Sequence, residues 1–271
     1  MSGYIKERVR SLKQSVAWYK LRQYAFAIRE MTGREIKRKY ARSVLGIIWS
    51  VLNPLLSMVV ISLVFSTMFR RSIQNFPIYY LTGQTFWTLF QTSTNAAMTA
   101  LVDNKSLLLR AKLPKQVFML SRIYTSLVNF AYTCIAYVLM LLVFKVPINP
   151  AMPLFLLAVL FMVLFSMGIG YALATAYVFF ADIRYLYGVF LTFLMYLSAL
   201  FYPVDMLPDA MQRVIEVNPV YVMIAFARSC VMDGIVPAPI EWLKAIIWSL
   251  GSLAVGLLIF KRNENKVMQK L

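Results

Sequence analysis

The chain has no histidine and only two cysteines, Cys134 and Cys230. Zinc and redox-metal centres draw their ligands mainly from those two residue types, so neither is expected. One cysteine lies inside an apolar run and the other in a proline-rich stretch, a poor basis for a disulfide framework. Acidic residues are scarce as well: 11 Asp and Glu stand against 28 Lys and Arg, for a formal net charge of +17. No apolar run carries a charge near its middle, where one would cost about 2.5–3.5 kcal/mol by insertion scales. Proton- and ion-coupled transporters need such charges for their relays, so that class loses weight. No glycine precedes a lysine, so a phosphate loop of the G-x-x-x-x-G-K type is missing and ATP hydrolysis by this chain is not expected. Membrane enzymes working on lipid-linked substrates generally use carboxylates or histidine at the interface. Asp103 and Asp182 sit at span boundaries and form no convincing pair.

What is there is apolar. Hydrophobic residues make up 61% of the 271, and the mean hydropathy is +0.68, well above a soluble mixture. The organising stretch is 33–69. It opens with Arg34, Lys37, Arg38, Lys39 and Arg42, and then all ionisable side chains stop from Ser43 to Phe69. A helix of that length reaches about 40 Å against a hydrocarbon core of roughly 30 Å. A basic flank before an apolar span is retained on the cytoplasmic side, so the N-terminus is expected inside. The net charge follows this topology, with attraction to anionic lipid as a second contribution. Nucleic-acid binding is not expected. The first span begins too late and runs too long for a cleavable signal peptide, and is expected to remain as an anchor.

Residues 1–42 read as a basic cytoplasmic or interfacial segment. Trp18, Leu21, Ala25 and Ile28 recur at helical spacing, which suits an amphipathic interfacial helix; an arm packed on a partner is the other reading. Five further spans are expected at about 78–102, 117–144, 154–180, 185–202 and 242–260, giving a six-span domain over 43–260. The second span carries Thr85, Thr88, Thr92, Asn95 and Thr99 on one face, suited either to helix packing or to a hydrated pathway. Residues 103–115 form a brief amphipathic segment with Leu107, Leu108 and Ala111 on its apolar face. Arg122 is expected to snorkel from the third span. Ser166, Gly170 and Ala174 put small residues on one face of the fourth, suited to close helix contact. The stretch 203–241 is broken by five prolines, and its apolar part, Val217 to Ala227, is too short to cross. It reads as two short helices split near Asn218–Pro219 that dip into the outer leaflet and return. The tail, 261–271, is basic and expected in the cytoplasm.

Several stretches together resemble a known family. Arg34-Glu35-Ile36-Lys37-Arg38-Lys39-Tyr40, followed by Leu45-Gly46, Trp49 and Asn53-Pro54, is similar to the start of the first span in type-2 ABC exporter permeases that handle bacterial polysaccharides. Asn104, Leu107-Leu108 and Leu113-Pro114 resemble that family's coupling helix. Asp182-Ile183-Arg184-Tyr185-Leu186, Phe201-Tyr202-Pro203, Met206-Leu207-Pro208 and Asn218-Pro219 continue the likeness in order. Ala181, Ala199, Leu109 and Lys112 depart from the usual pattern without breaking the topology.

The resemblance implies an all-α integral membrane permease with an N-terminal amphipathic helix, six transmembrane helices and an external re-entrant hairpin before the last. It implies a homodimer in a bacterial cytoplasmic membrane, working with two ATP-binding cassette subunits that hold the ATP and Mg; no cofactor is expected on this chain. The substrate implied is a glycan on polyprenyl pyrophosphate, for O-antigen, capsule or a similar polymer. Export of teichoic acid is a close alternative, and an ATP-independent flippase or structural subunit a more distant one. Coupling to the ATPase would fall to Asn104, Leu107, Leu108, Arg110 and Pro114. A sugar polymer needs hydroxyls and aromatic faces rather than a charge relay. Trp49, Thr85, Thr92, Tyr177, Tyr185, Tyr196, Phe201 and Tyr202 are the candidates for such a path, with core packing or lipid contact as the plainer role of each.

Overall fold

The computed structural model describes residues 2–68, 73, 75–110 and 113–271, with side chains from residue 18 onward except 66–68. Phe69, the expected end of the first span, and Ala111 and Lys112 of the expected coupling segment lie outside the described residues. All regular elements among the described residues are helical. They are α1 (Ser2–Tyr40), α2 (Trp49–Met68), α3 (Phe76–Asp103), α4 (Lys105–Arg110), α5 (Gln116–Val143), α6 (Phe155–Phe179), α7 (Ile183–Tyr196), α8 (Asp209–Val217), α9 (Pro219–Arg228) and α10 (Pro239–Lys270). Proline marks the first turn of α3, α9 and α10, where its missing N–H costs nothing and its fixed φ suits the helix.

α3 is the axis of the bundle, touching α2, α5, α6, α7 and α9. Its aromatic residues explain why. Phe86 meets Phe130 of α5 and Phe155 of α6 edge-on, with ring centroids 6.2 and 5.3 Å apart. One turn on, Phe90 stacks on Phe165 of α6 at 5.5 Å. Such pairs add about 0.5–1.5 kcal/mol each beyond the area they bury. α6 in turn lies along α10. The small face expected on α6 is used as such: Ser166, Gly170 and Ala174 are all buried. A Cβ on Gly170 would stand 2.8 Å from the Ala97 Cβ of α3.

The chain runs back and forth between two ends. Lys115 Nζ lies 3.0 Å from Glu264 Oε1, which brings the start of α5 to the end of α10. At the opposite end, the rings of Phe65 and Phe76 join the end of α2 to the start of α3. The first of these we call the basic end and the second the hairpin end.

Among the described residues, four stretches are long and apolar enough to cross a membrane: Gly46–Phe65, Gln116–Val143, Met152–Phe179 and Pro239–Lys270. Asp209–Val217 and Pro219–Asp233, bent by 90° at Asn218, would make a fifth if taken as one bent span. Length and composition therefore give four or five candidates where six were expected. The two that fall short do so for different reasons. α3 has 28 residues but is too rich in Thr, Gln and Asn. α7 is apolar but has only 14, about 21 Å of helix.

Three further expectations are corrected. The fifth segment, expected to span 185–202, is helical only as far as Tyr196, where α7 stops; Ala199 has a positive φ of 46°, a conformation that no α-helix continues through. The N-terminal helix is longer than its amphipathic part: α1 is continuous from Ser2 to Tyr40. Trp18 and Leu21 are exposed along it, while Met31 and Thr32 are buried, with Thr32 Oγ1 donating to the Ser121 carbonyl of α5 at 3.3 Å. Arg122 does not snorkel. It lies between Glu35 and Asp103, with Nε 3.0 Å from Glu35 Oε1 and Nη2 3.0 Å from Asp103 Oδ2. The Nε contact is out of line for a hydrogen bond, so Glu35 acts there as a counter-ion.

Candidate functional site: a polar cleft, a strapped loop and a short helix

The threonine stripe of α3 is tolerable in an apolar bundle because its hydroxyls can be satisfied on their own helix. Thr85 Oγ1 donates to the Leu81 carbonyl at 2.6 Å, and Thr92 Oγ1 to the Thr88 carbonyl at 2.7 Å, the i−4 bond open to any helical threonine. Each oxygen can still accept a bond from the far side. Thr85, Thr88 and Thr92 line a cleft of about 200 Å³, facing Trp49, Ser50 and Asn53 of α2 and Asn129 and Thr133 of α5. The end of α1 closes one side of it, halfway along α5. There Lys39 Nζ donates to Asn129 Oδ1 at 3.2 Å, and the Tyr40 and Ser50 hydroxyls share a short hydrogen bond. Among the described residues, Lys39 is the one charged residue in this lining. The cleft can hydrogen-bond an uncharged hydroxylated solute.

The second feature is the break between α7 and α8. Backbone that leaves the helix in apolar surroundings needs other partners for its carbonyls, and three side chains supply them. Asn218 Nδ2 donates to the Leu197 carbonyl at 2.9 Å and to Ser198 Oγ at 3.2 Å, while its Oδ1 caps α9 by accepting from Val220 N at 3.0 Å. Tyr79 Oη donates toward the Ala199 and Tyr202 carbonyls at 3.2 and 2.9 Å. Arg228 Nη1 donates to the Ala199 carbonyl and Nη2 to the Tyr79 carbonyl, both at 3.1 Å. The guanidinium carbon also lies over the Tyr79 ring, 3.4 Å from its centroid, a cation–π contact strengthened by desolvation. Gly83 makes the room, since a Cβ there would come 2.7 Å from Arg228 Nη2. Phe201 stacks on Tyr80 and Phe65 at 5.8 and 6.0 Å, and the Tyr202 hydroxyl donates to the Tyr196 carbonyl.

The third feature is α4. Asn104 is buried and closes α3, with Nδ2 donating to the Ala100 carbonyl at 2.8 Å. Leu108 turns inward onto Met31, Phe118 and Phe260, and Leu107 packs partly against the same cluster. The outward surface consists of Lys105, Ser106, Leu109 and Arg110, with Pro114 exposed just beyond.

The path candidates therefore divide. Trp49, Thr85 and Thr92 share the cleft, and Tyr196, Phe201 and Tyr202 gather at the loop after α7. Tyr177 packs partly against the core. Tyr185 is exposed on α7 and joins neither group. Sequence reasoning missed Tyr79, Arg228 and the Glu35–Arg122–Asp103 cluster. Arg228 alone left a trace, as a single cation closing the apolar run after Pro219.

A threonine-lined cleft among apolar helices, a strapped break before a bent helical pair and a short helix between two long ones describe a multi-pass membrane protein. The sequence profile of the ABC-2 type transporter family matches residues 27–232, and the chain belongs to that family. Relatives include the O-antigen export system permease RfbA of Myxococcus xanthus, 27% identical over 86% of this chain and 93% of its own length. RfbA of Klebsiella pneumoniae is 26% identical over 86% and 90%. The polysialic acid transport protein KpsM of Escherichia coli is 22% identical over 87% and 92%.

Proposed function

We propose that this chain is the permease of an ATP-driven exporter that carries a polyprenyl-pyrophosphate-linked polysaccharide across the bacterial inner membrane. The observation that carries the reading is similarity along nearly the whole length to O-antigen export permeases. The polar cleft supports it, because a neutral glycan needs hydroxyls, amides and an aromatic face, and Thr85, Asn129 and Trp49 offer one of each. Two copies would pair and work with two ATP-binding cassette subunits that hold ATP and Mg. The exposed apolar faces of α2 and α7 (Leu63 on the one, Val189 on the other) are suited to a second copy or to lipid.

In this reading α2, α3, α5, α6, α7 and α10 are the six spans, and α3 tolerates its polarity because the cleft faces protein. Both termini lie in the cytoplasm, where α1 and the tail place most of the basic residues. The α8–α9 pair enters from outside and returns. The ATPase docks on α4 through Leu109 and Arg110, with Leu107 at the margin and Asn104, Leu108 and Pro114 holding the helix in place. The test is deletion of the gene and complementation with and without the cognate ATP-binding subunit. Surface glycan should vanish on deletion and return only when both subunits are present. Export restored by this chain alone would overturn the proposal in favour of an ATP-independent flippase.

A further inference from the structure

A second and larger cleft, about 720 Å³, opens at the hairpin end among the start of α3, the 145–147 turn, the 203–205 turn and α9. It is separate from the threonine-lined cleft and shares no residue with it. Arg228 stands in its wall and is 6% exposed. Two carbonyls occupy one donor each on Nη1 and Nη2, while the Nε–H has no partner. Among the described residues no carboxylate comes within ion-pair distance of it. A buried guanidinium with spare donors costs free energy unless something polar meets them.

The rest of the lining says what that is. Arg228 and Lys145 face three carboxylates, Asp205, Asp233 and Glu241. Among the described residues of the lining, three anions stand against two cations, a balance that favours a neutral polar occupant over a phosphate or carboxylate. Burial in the cleft raises the Asp233 carboxyl above its ordinary range, with Arg228 pulling it partly back. What remains is a wall offering donors and acceptors in comparable number, with the Tyr221 ring beside them. A sugar hydroxyl both donates and accepts, and a pyranose face is apolar enough to lie on tyrosine. The volume is within the range of small-molecule sites.

We propose that this cleft is a subsite for a neutral sugar residue of the exported polymer, separate from the threonine-lined path. The inference rests on the polysaccharide reading above. Asp205 and Asp233 accept from ring hydroxyls, Arg228 donates, and Tyr221 carries the ring.

The test uses full-length protein in lipid nanodiscs and lipid-free oligosaccharide released by mild acid from the host's own surface polymer, with binding read by calorimetry and saturation-transfer NMR. Wild type should bind, and Asp205→Asn with Asp233→Asn together should weaken binding by about tenfold or more. Tyr221→Ala should remove the ring-proton transfer signal. Thermal unfolding of each variant separates lost binding from lost fold, and the two exposed aspartates are chosen because their replacement leaves the core alone. No binding by wild type, unchanged binding by a folded double variant, or a preference for methyl glucuronide over methyl glucoside would overturn the subsite. Export with the ATPase partner is measured in parallel. Export without binding sinks the subsite alone, whereas binding without export sinks the transport reading.

Discussion

Gly168 of α6 and Gly256 of α10 meet backbone to backbone: a Cβ on Gly256 would stand 2.0 Å from the Gly168 carbonyl oxygen. The reverse is equally tight, with a Cβ on Gly168 falling 2.2 Å from the Ser252 carbonyl carbon. No rotamer relieves a clash between backbones. Gly256→Ala should therefore force the helices apart and cost about 1–3 kcal/mol or more, seen as a lower melting temperature in detergent and reduced export. Gly251, on the same helix with open space around it, is the control. Gly251→Ala should be neutral or stabilise by about 0.5–1 kcal/mol. Equal effects at the two positions would refute the close approach.

Neighbouring leucines on α4 should behave in opposite ways. Leu108→Asp places a carboxylate among Met31, Phe118 and Phe260 and should lower the amount of folded protein in the membrane. Leu109 is 57% exposed, so Leu109→Asp should leave the amount unchanged and instead weaken ATPase association or stimulation. Quantitative immunoblotting and co-purification separate the two. A folded, coupled Leu109→Asp protein would show that the ATPase docks elsewhere.

Asn218 serves two elements at once, capping α9 and holding the Leu197 carbonyl. Asn218→Ala should cost about 1–3 kcal/mol. Asn218→Asp retains the cap acceptor but loses the donor, and should fall between the two in melting temperature. An aspartate variant no better than alanine would mean that the cap contributes little.

Topology is tested by single cysteines in a background without Cys134 and Cys230. Cysteines replacing Asp209 and Asp233, both exposed at the hairpin end, should react with an impermeant reagent in intact cells; one replacing Asn265, in the last turns of α10, should react only after lysis. Labelling of position 265 from outside would reverse the proposed orientation of the tail.

Much of the architecture was legible because it is written in local signals. Charge-free runs bounded by Lys and Arg gave the long helices, and Asn218–Pro219 gave the break between α8 and α9, since both residues act on their own backbone. The small face of Ser166, Gly170 and Ala174 was legible for the same reason. The site was legible only in part. Trp49, Thr85 and Thr92 were singled out and do share a cleft, but Leu108 was assigned an outward role and points inward. The end of α7 at Tyr196 was overlooked, because Leu197 to Tyr202 is as apolar as the helix before it.

The sequence by itself determined that the protein is helical and apolar, where its basic clusters lie, where its chain breaks and which family it belongs to. All but the last depend on residues within a few turns of one another, and the family is legible because its short motifs keep their order along the chain. Tertiary structure alone decided that Arg228 reaches the Tyr79 carbonyl, 149 residues away, that Arg122 lies between Glu35 and Asp103, and that Gly168 meets Gly256. The physical reason is rotational phase. A surface helix of a soluble protein reveals its buried side by polarity, but a helix that is apolar all round does not. Which face of α6 meets α10 is set by steric fit between side chains far apart in the chain, and hydropathy carries no record of it.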